Sequence, residues 1–416
     1  MRIDYLSVHN FKGFTDLEFS FHPQFNLVVG DNGTGKTSLL DALSVAAGGW
    51  FLGLSGYDTR HIRPSEVRLA VVEQIASATP GQVPAVLTWE SQYPCEVKAG
   101  GEVVGERINW SRSLIGPNGR TTYRDARQLK DLAARTSEAA RSRPVELPLI
   151  ANYGTGRLWD VPREQAQVHT EEDITDKGQL SRLAGYRNSV DPRLSVAGLV
   201  RWIARQSWIT YQQRGAEPPA FAAVRSAIVQ CIEGAEALFF DASFGEVIIR
   251  MAGQGAQPFN NLSDGQRTML ALVGDIAFKA ASLNPHLGER ALAENPGIVL
   301  IDELDLHLHP RWQRHVIDDL RGVFPRLQFI CTTHSPFLIQ SLRSGEELIV
   351  LDGQPPAQLA DLPIAQIVEG VQGVPGAEVS ERYQAMKQVA RNYLETLEEA
   401  AQAPDAQLAA YRDRLA

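Results

Sequence analysis

Three short stretches hold residue types that do chemistry together. The first is Gly30-Asp31-Asn32-Gly33-Thr34-Gly35-Lys36-Thr37. Its glycines let backbone amides turn inward around phosphate oxygens, and a helix starting at the lysine adds favourable partial charge. Gly30, Asn32, Gly33, Gly35, Lys36, Thr37 and Ser38 are the expected phosphate-binding residues. Lys36 would reach the β- and γ-phosphates of ATP, and the Thr37 hydroxyl would ligate Mg²⁺. The second stretch, Gly297-Ile298-Val299-Leu300-Ile301-Asp302-Glu303, is an apolar run closed by two acids. A carboxylate at the carboxyl end of a parallel strand lies where such sheets bind ligands. Asp302 is placed to hold Mg²⁺, and Glu303 to take a proton from an attacking water. Alone, the first stretch could be a tight turn and the second a solvated strand end. Together they point to nucleotide hydrolysis.

The third stretch is Asn261-Leu262-Ser263-Asp264-Gly265-Gln266-Arg267, 227 residues after Lys36 and 39 before Asp302 (both counted from Ser263). A serine at a helix N-terminus can present its hydroxyl and nearby amides to a phosphate. By itself it would equally be an ordinary helix cap. A further apolar run, Leu327-Gln328-Phe329-Ile330-Cys331, leads into Thr332-Thr333-His334-Ser335-Pro336, with His334 31 residues beyond Glu303.

The surrounding pattern must position these groups. Ile3 to Val8 and Leu17 to Phe21 alternate as strands, and Phe25 to Val29 is a short apolar run. Thr37 to Ala47 reads as a helix with Leu39, Leu40, Leu43 and Ala47 on one face. Strands are expected at Val67 to Ile75, Ala85 to Glu90, Glu102 to Arg112, Val145 to Ala151 and Ser243 to Met251, with hairpin-like turns at Gly100-Gly101 and Gly116 to Gly119. Helices are expected at Asp125 to Ala140, Leu194 to Gln213, Ala220 to Ala237, after Ser263 and beyond Gly353; residues 160–192 read as loops. The alternation predicts an α/β fold with an open, mostly parallel sheet flanked by helices.

The 261–267 stretch resembles the signature motif of ABC-type ATPases, Leu-Ser-Gly-Gly-Gln, with Asp264 at the third position. The opening Leu6-Ser7-Val8-His9-Asn10-Phe11-Lys12-Gly13-Phe14 and the Leu306-His307-Leu308-His309-Pro310 stretch are similar to the RecF/SMC/OLD branch of that class. Ala151-Asn152-Tyr153-Gly154-Thr155-Gly156-Arg157-Leu158-Trp159 is similar to PtuA-like ATPases of Septu and retron-associated anti-phage systems. The resemblance spans about residues 1–60 and 145–352. It implies a P-loop ABC-type head with an antiparallel N-terminal β-subdomain and a helical lobe at about 194–240. An inserted subdomain at 61–144 and a helical tail at 353–416 complete the expected organisation.

The resemblance also implies that Ser263, Gly265 and Gln266 act on ATP held by a second copy, and that His334 senses the γ-phosphate. Partners would be a homo-oligomer, at least a dimer around ATP, and an effector such as an HNH-type nuclease. The alternative is a RecF-like repair ATPase that binds DNA directly; an ATP-locked scaffold with negligible turnover is a third reading. Many relatives carry an aspartate six residues after the catalytic glutamate; here that position is His309. The Q-loop position falls to Gln74 or to 152–157, and Arg157 is either part of it or a surface arginine on Trp159. A Toprim nuclease like that of OLD relatives is not expected, because only 82 residues follow His334 and show no clustered acids of that kind. Nor is a long coiled coil, for want of sustained heptads.

Composition bounds these readings. The chain of 416 residues is 44% hydrophobic and 21% charged, enough apolar material for a large core. No run approaches the ~20 apolar residues that cross a bilayer, and the first residues lack the layout of a signal peptide. Cys95, Cys231 and Cys331 are too scattered for a disulfide framework or zinc site, which suits a reducing cytoplasm. A net charge of −9 argues against coating nucleic acid non-specifically. Arg107 to Arg143 runs the other way, with nine bases against three acids and with Trp110 and Tyr123 in reach for stacking. A solvated helix face with paired arginines accounts for it as well. In the tail, Val379, Met386, Val389, Tyr393 and Leu397 fall at helical spacing, fit for a neighbouring head, a partner, or the sheet edge.

Overall fold

The computed structural model describes residues 1–74, 86–157, 182–194, 196–351, 362–372 and 381–402. Its centre is a five-stranded parallel sheet in the order Leu348–Val350, Phe25–Val29, Leu327–Thr332, Gly297–Ile301, Leu149–Tyr153. The three middle strands are buried at every position, as strands covered on both faces must be. Because all five run the same way, Gly30, Asp302, Thr333 and Gly154 leave the sheet along one edge. That edge carries the site.

Helix Lys36–Ala47 packs under it and buries Ala42, Val45 and Ala46 as well as the expected Leu39, Leu40, Leu43 and Ala47. The 20-residue helix Asp264–Leu283 is buried along most of its length. Helices Val196–Gln212 and Pro219–Cys231 pack near it, with the Trp202 ring 5.7 Å from Phe221 and 5.4 Å from Phe278.

A four-stranded antiparallel sheet, in the order Phe14–Ser20, Arg2–Phe11, Cys95–Val103, Glu106–Leu114, forms the N-terminal β-subdomain. Gln328 ties it to the central sheet by accepting from Ile3 N at 2.9 Å and donating to Ile3 O at 2.8 Å. Gly100-Gly101 is not the expected turn but lies within a strand. A Cβ on Gly101 would sit 2.0 Å from the Arg2 carbonyl oxygen, and one on Gly100 2.2 Å from the Tyr5 ring. The glycines are there to let two strands approach. The turn is Val104-Gly105, both at positive φ, and it splits the run 102–112 that the sequence presents as one strand.

The 61–144 stretch supplies two strands of this sheet, and its helix Arg127–Ser142 packs on the Gly48–Gly53 turn, where a Cβ on Gly53 would meet Lys130 O. The helix expected to reach Ala237 stops at Cys231. Gly234 turns the chain at φ 80°, and Ala235–Asp241 pairs with Glu246–Met251, which pairs in turn with Gly255–Pro258. Most of the expected 160–192 loop, Trp159 and Val379 lie outside the described residues.

Met1–Ala360 forms one compact unit and Asp361–Ala416 a second. The described part of the second consists of helices Ile364–Gln372 and Glu381–Gln402, on which Met386, Val389, Tyr393 and Leu397 are exposed. Among the described residues, no helix is long and apolar enough to cross a membrane.

Candidate nucleotide site

The loop from Gly30 to Gly35 takes a path only glycine follows easily: φ is 89° at Gly33 and 105° at Gly35, where a Cβ would lie 2.6 Å from the Phe14 ring. Lys36 folds back over this loop and donates to the carbonyl oxygens of Gly30 and Asp31, both at 2.8 Å. Burial pulls its ammonium below the usual lysine range, opposed by Asp302, Asp31 and Glu303. Asn32 is exposed and Ser38 half-buried on the same loop-to-helix junction.

Asp302 ends its strand with both carboxylate oxygens engaged. Thr37 Oγ1 donates to Oδ2 at 2.9 Å and Thr332 Oγ1 to Oδ1 at 2.6 Å. A hydroxyl and a carboxylate side by side are hard oxygen donors of the kind Mg²⁺ takes, usually with phosphate oxygens and water completing the shell. The residues fit that ion.

Glu303 stands in the left-handed region at φ 48°, a conformation costly for a non-glycine residue. Three contacts hold it there. Its amide donates to Thr332 Oγ1 at 2.7 Å, and its carbonyl accepts from Arg157 Nη2 at 3.0 Å and from Leu306 N at 3.0 Å. The residue is half-buried rather than packed into the core.

Arg157 is the residue whose importance the sequence left open. It is 1% exposed, and its guanidinium bridges Gly154 O at 3.2 Å, Asp302 O at 2.7 Å and Glu303 O at 3.0 Å. Burial lowers its pKa, and Asp302, Glu303 and Asp305 partly restore it. It is not a surface arginine. Thr332 was also missed; its place at a strand end beside Thr333 and His334 was the available signal. Gln74 ends the strand Leu69–Gln74.

The remaining predicted residues stand in two other places. His334 is exposed just past the strand Leu327–Thr332, on the same sheet edge. Ser263 caps the helix Asp264–Leu283 with a reciprocal pair: its Oγ accepts from Gln266 N at 3.3 Å, and Gln266 Oε1 accepts from Ser263 N at 3.0 Å. Gly265 faces the loop after Glu303, where a Cβ would lie 2.7 Å from His307 O. Ser263 is exposed to solvent. His309 is an N-cap whose Nδ1 accepts from Arg311 N at 3.2 Å.

The basic stretch 107–143 is not a continuous stacking surface. Trp110 is buried and donates to Ala46 O at 2.9 Å. Arg112 is fully buried, donates to Thr122 O and Thr59 Oγ1, and is pulled down to about 10 by burial. Arg107, Arg135 and Arg141 pair with Asp4, Glu106 and Glu138. Tyr123 remains exposed, with Lys130 Nζ 5.3 Å from its ring centre.

Comparison with known proteins agrees with this architecture. A family model described as an AAA domain matches residues 5–200, and one described as "AAA domain, putative AbiEii toxin, Type IV TA system" matches residues 169–340. The chain is 48% identical over 94 residues to the retron Vc95 probable ATPase of Vibrio cholerae serotype O1 biovar El Tor, covering 22% of this chain and 17% of that one. It is 39% identical over 94 residues to the Septu protein PtuA of Bacillus mycoides (strain KBAB4), covering 23% and 12%. It is 36% identical over 84 residues to the DNA replication and repair protein RecF of Chloroherpeton thalassium (strain ATCC 35110 / GB-78), covering 20% and 23%. The matched segments span less than a quarter of each of these relatives.

Proposed function

We propose, because the chain belongs to the RecF/SMC/OLD branch of ABC-type ATPases, that it binds and hydrolyses ATP in pockets shared between two copies. The observation that carries this reading is the convergence of Lys36, Thr37, Asp302 and Glu303 on one sheet edge while Ser263 caps a separate helix with its hydroxyl exposed.

The amides of Gly30 to Thr37 and the Lys36 ammonium bind the phosphates. Thr37 and Asp302 would hold Mg²⁺, which when bound neutralises charge developing on the phosphate oxygens. Glu303 orients a water in line with the γ-phosphorus and accepts its proton as the P–O bond to ADP breaks, releasing phosphate. His334 contacts the γ-phosphate. Ser263, Gly265 and Gln266 of a second copy close the pocket from the opposite side.

The retron and Septu names of the relatives favour a defence role, in which ATP-dependent assembly regulates an effector, a nuclease of the HNH type, against phage. The RecF match favours a second reading, a repair ATPase that binds DNA directly. Salt-sensitive, ATP-dependent DNA binding by the purified chain alone would select the second.

For the shared reading, Glu303→Gln should keep ATP binding while turnover falls by ~10²–10⁴-fold, and Lys36→Ala should lose binding. Normal turnover in Glu303→Gln would refute the role given to that carboxylate.

A further inference from the structure

The strand Leu327–Thr332 is buried at every position, yet it ends in a hydroxyl: Thr332 is 0% exposed. A hydroxyl so buried needs partners. Register supplies them. The strand runs between Phe25–Val29 and Gly297–Ile301, with Thr332 opposite Val28 and Cys331 opposite Ile301, so Thr332 stands level with Asp302. Its Oγ1 donates to Asp302 Oδ1 at 2.6 Å and accepts from Glu303 N at 2.7 Å. A hydroxyl has one proton to give, an ionised carboxylate has none, and an amide N–H has no lone pair to offer. The direction of both bonds is therefore forced.

A hydroxyl bond to a carboxylate is among the shorter and stronger ones. Here it fixes how the Asp302 carboxylate is turned, leaving Oδ2 to the Thr37 hydroxyl at 2.9 Å. The bond from Glu303 N falls on a residue held at φ 48°, a costly conformation that needs such support. Arg157 also reaches both residues, but through their carbonyl oxygens. Among the described residues, Thr332 is the side chain that bonds both the Asp302 carboxylate and the Glu303 amide. The path of the chain does not depend on it. Asp302 N donates to Tyr153 O at 2.8 Å, Leu304 N to Thr332 O at 2.9 Å and Leu306 N to Glu303 O at 3.0 Å, and all three are main-chain bonds. Removing the hydroxyl leaves them in place and frees the carboxylate and the amide.

The geometry assigns Thr332 as a positioning residue for nucleotide hydrolysis: its one hydroxyl sets the Asp302 carboxylate and the Glu303 backbone together. The residue that would hold Mg²⁺ and the residue that accepts the proton are thus aligned by a single group. This rests on ATP hydrolysis at the phosphate loop with Glu303 as the base.

The test compares Thr332→Ser with Thr332→Ala in the full chain. Both lose the same methyl group, and they differ in the hydroxyl alone. At saturating ATP and Mg²⁺, kcat of the Ala variant should be at least tenfold below that of the Ser variant, with KM for ATP within twofold. Half-maximal turnover should need at least threefold more Mg²⁺ in the Ala variant. Without nucleotide or metal, the Glu303 amide should exchange its hydrogen at least tenfold faster in the Ala variant than in the Ser variant. Melting temperatures check folding; should the Ala variant not fold, Thr332→Val fills the space and should show the same losses against the parent. If Glu303→Gln turns over ATP like the parent, the assignment of Glu303 fails and this inference falls with it. If Glu303→Gln loses turnover while the folded Ser and Ala variants agree in kcat, in Mg²⁺ requirement or in exchange at Glu303, this inference alone is overturned.

Discussion

Thr37 and Asp302 lie 265 positions apart, yet the hydroxyl of one donates to the carboxylate of the other at 2.9 Å. One begins the helix after the phosphate loop and the other ends a strand two places across the sheet. Thr332, on the strand between them, donates to the other oxygen of the same carboxylate at 2.6 Å. The parallel order of three strands therefore fixes the oxygen donors for a hard cation before any ligand arrives.

If that pair holds Mg²⁺, Asp302→Asn should raise the Mg²⁺ concentration for half-maximal ATP turnover at least tenfold. Thr37→Val should act in the same direction. Turnover assayed across a Mg²⁺ titration checks this, and an unmoved midpoint in both variants would remove the pair from metal binding.

Arg157 does not need to touch nucleotide to matter. Its buried guanidinium donates to three carbonyl oxygens, including that of Glu303 in its strained left-handed conformation. Arg157→Leu would leave the Asp302 carbonyl without its donor, at roughly 1–3 kcal/mol for a buried group, and remove one of the three contacts that hold Glu303. The expected result is a large fall in kcat with a small change in KM for ATP, partly restored in Arg157→Lys. Equal rates in the Leu variant and the parent would show that the bridge does not position Glu303.

The motifs were legible because phosphate chemistry demands particular residues in a fixed local order, as in Gly33-Thr34-Gly35-Lys36-Thr37. The parallel core was legible too, since strands such as Gly297–Ile301 are short, wholly apolar and bounded. What escaped were features made by distant neighbours. Gly100-Gly101 reads as a turn until the Arg2–Phe11 strand is seen pressed against it. Trp110 and Arg112 read as surface groups until helix Lys36–Ala47 and the Thr59–His61 turn are seen to cover them. Arg157 shows its role only when Gly154, Asp302 and Glu303 are brought together around it.

The Gly101 contact is measurable through stability. In Gly101→Ala the added methyl meets the Arg2 carbonyl at 2.0 Å, so the two strands must part. Destabilisation on the order of 2–4 kcal/mol is expected in urea unfolding, whereas Gly116→Ala, with nothing within 4 Å, should be near neutral.

The cysteines report on the core. Cys95, Cys231 and Cys331 are buried, and burial pushes the thiols of Cys95 and Cys231 up to about 12 and that of Cys331 higher still. The thiolate is the reactive form. Folded protein at pH 8 should therefore resist iodoacetamide at all three positions, with labelling appearing only across the denaturant transition. Because the native thiols lie well above the usual cysteine range, raising the pH to 9 should leave native labelling slow while speeding that of unfolded chain. Rapid labelling of native protein would contradict the burial.

The central claim, a pocket completed by a second copy, is tested most directly by mass in solution. Light scattering on Glu303→Gln with MgATP should show at least a dimer carrying one ATP per chain. Adding Ser263→Arg should return it to monomers that still bind ATP. Assembly of the double variant as large and as stable as that of Glu303→Gln alone, or ATP-loaded Glu303→Gln that stays monomeric, would contradict it.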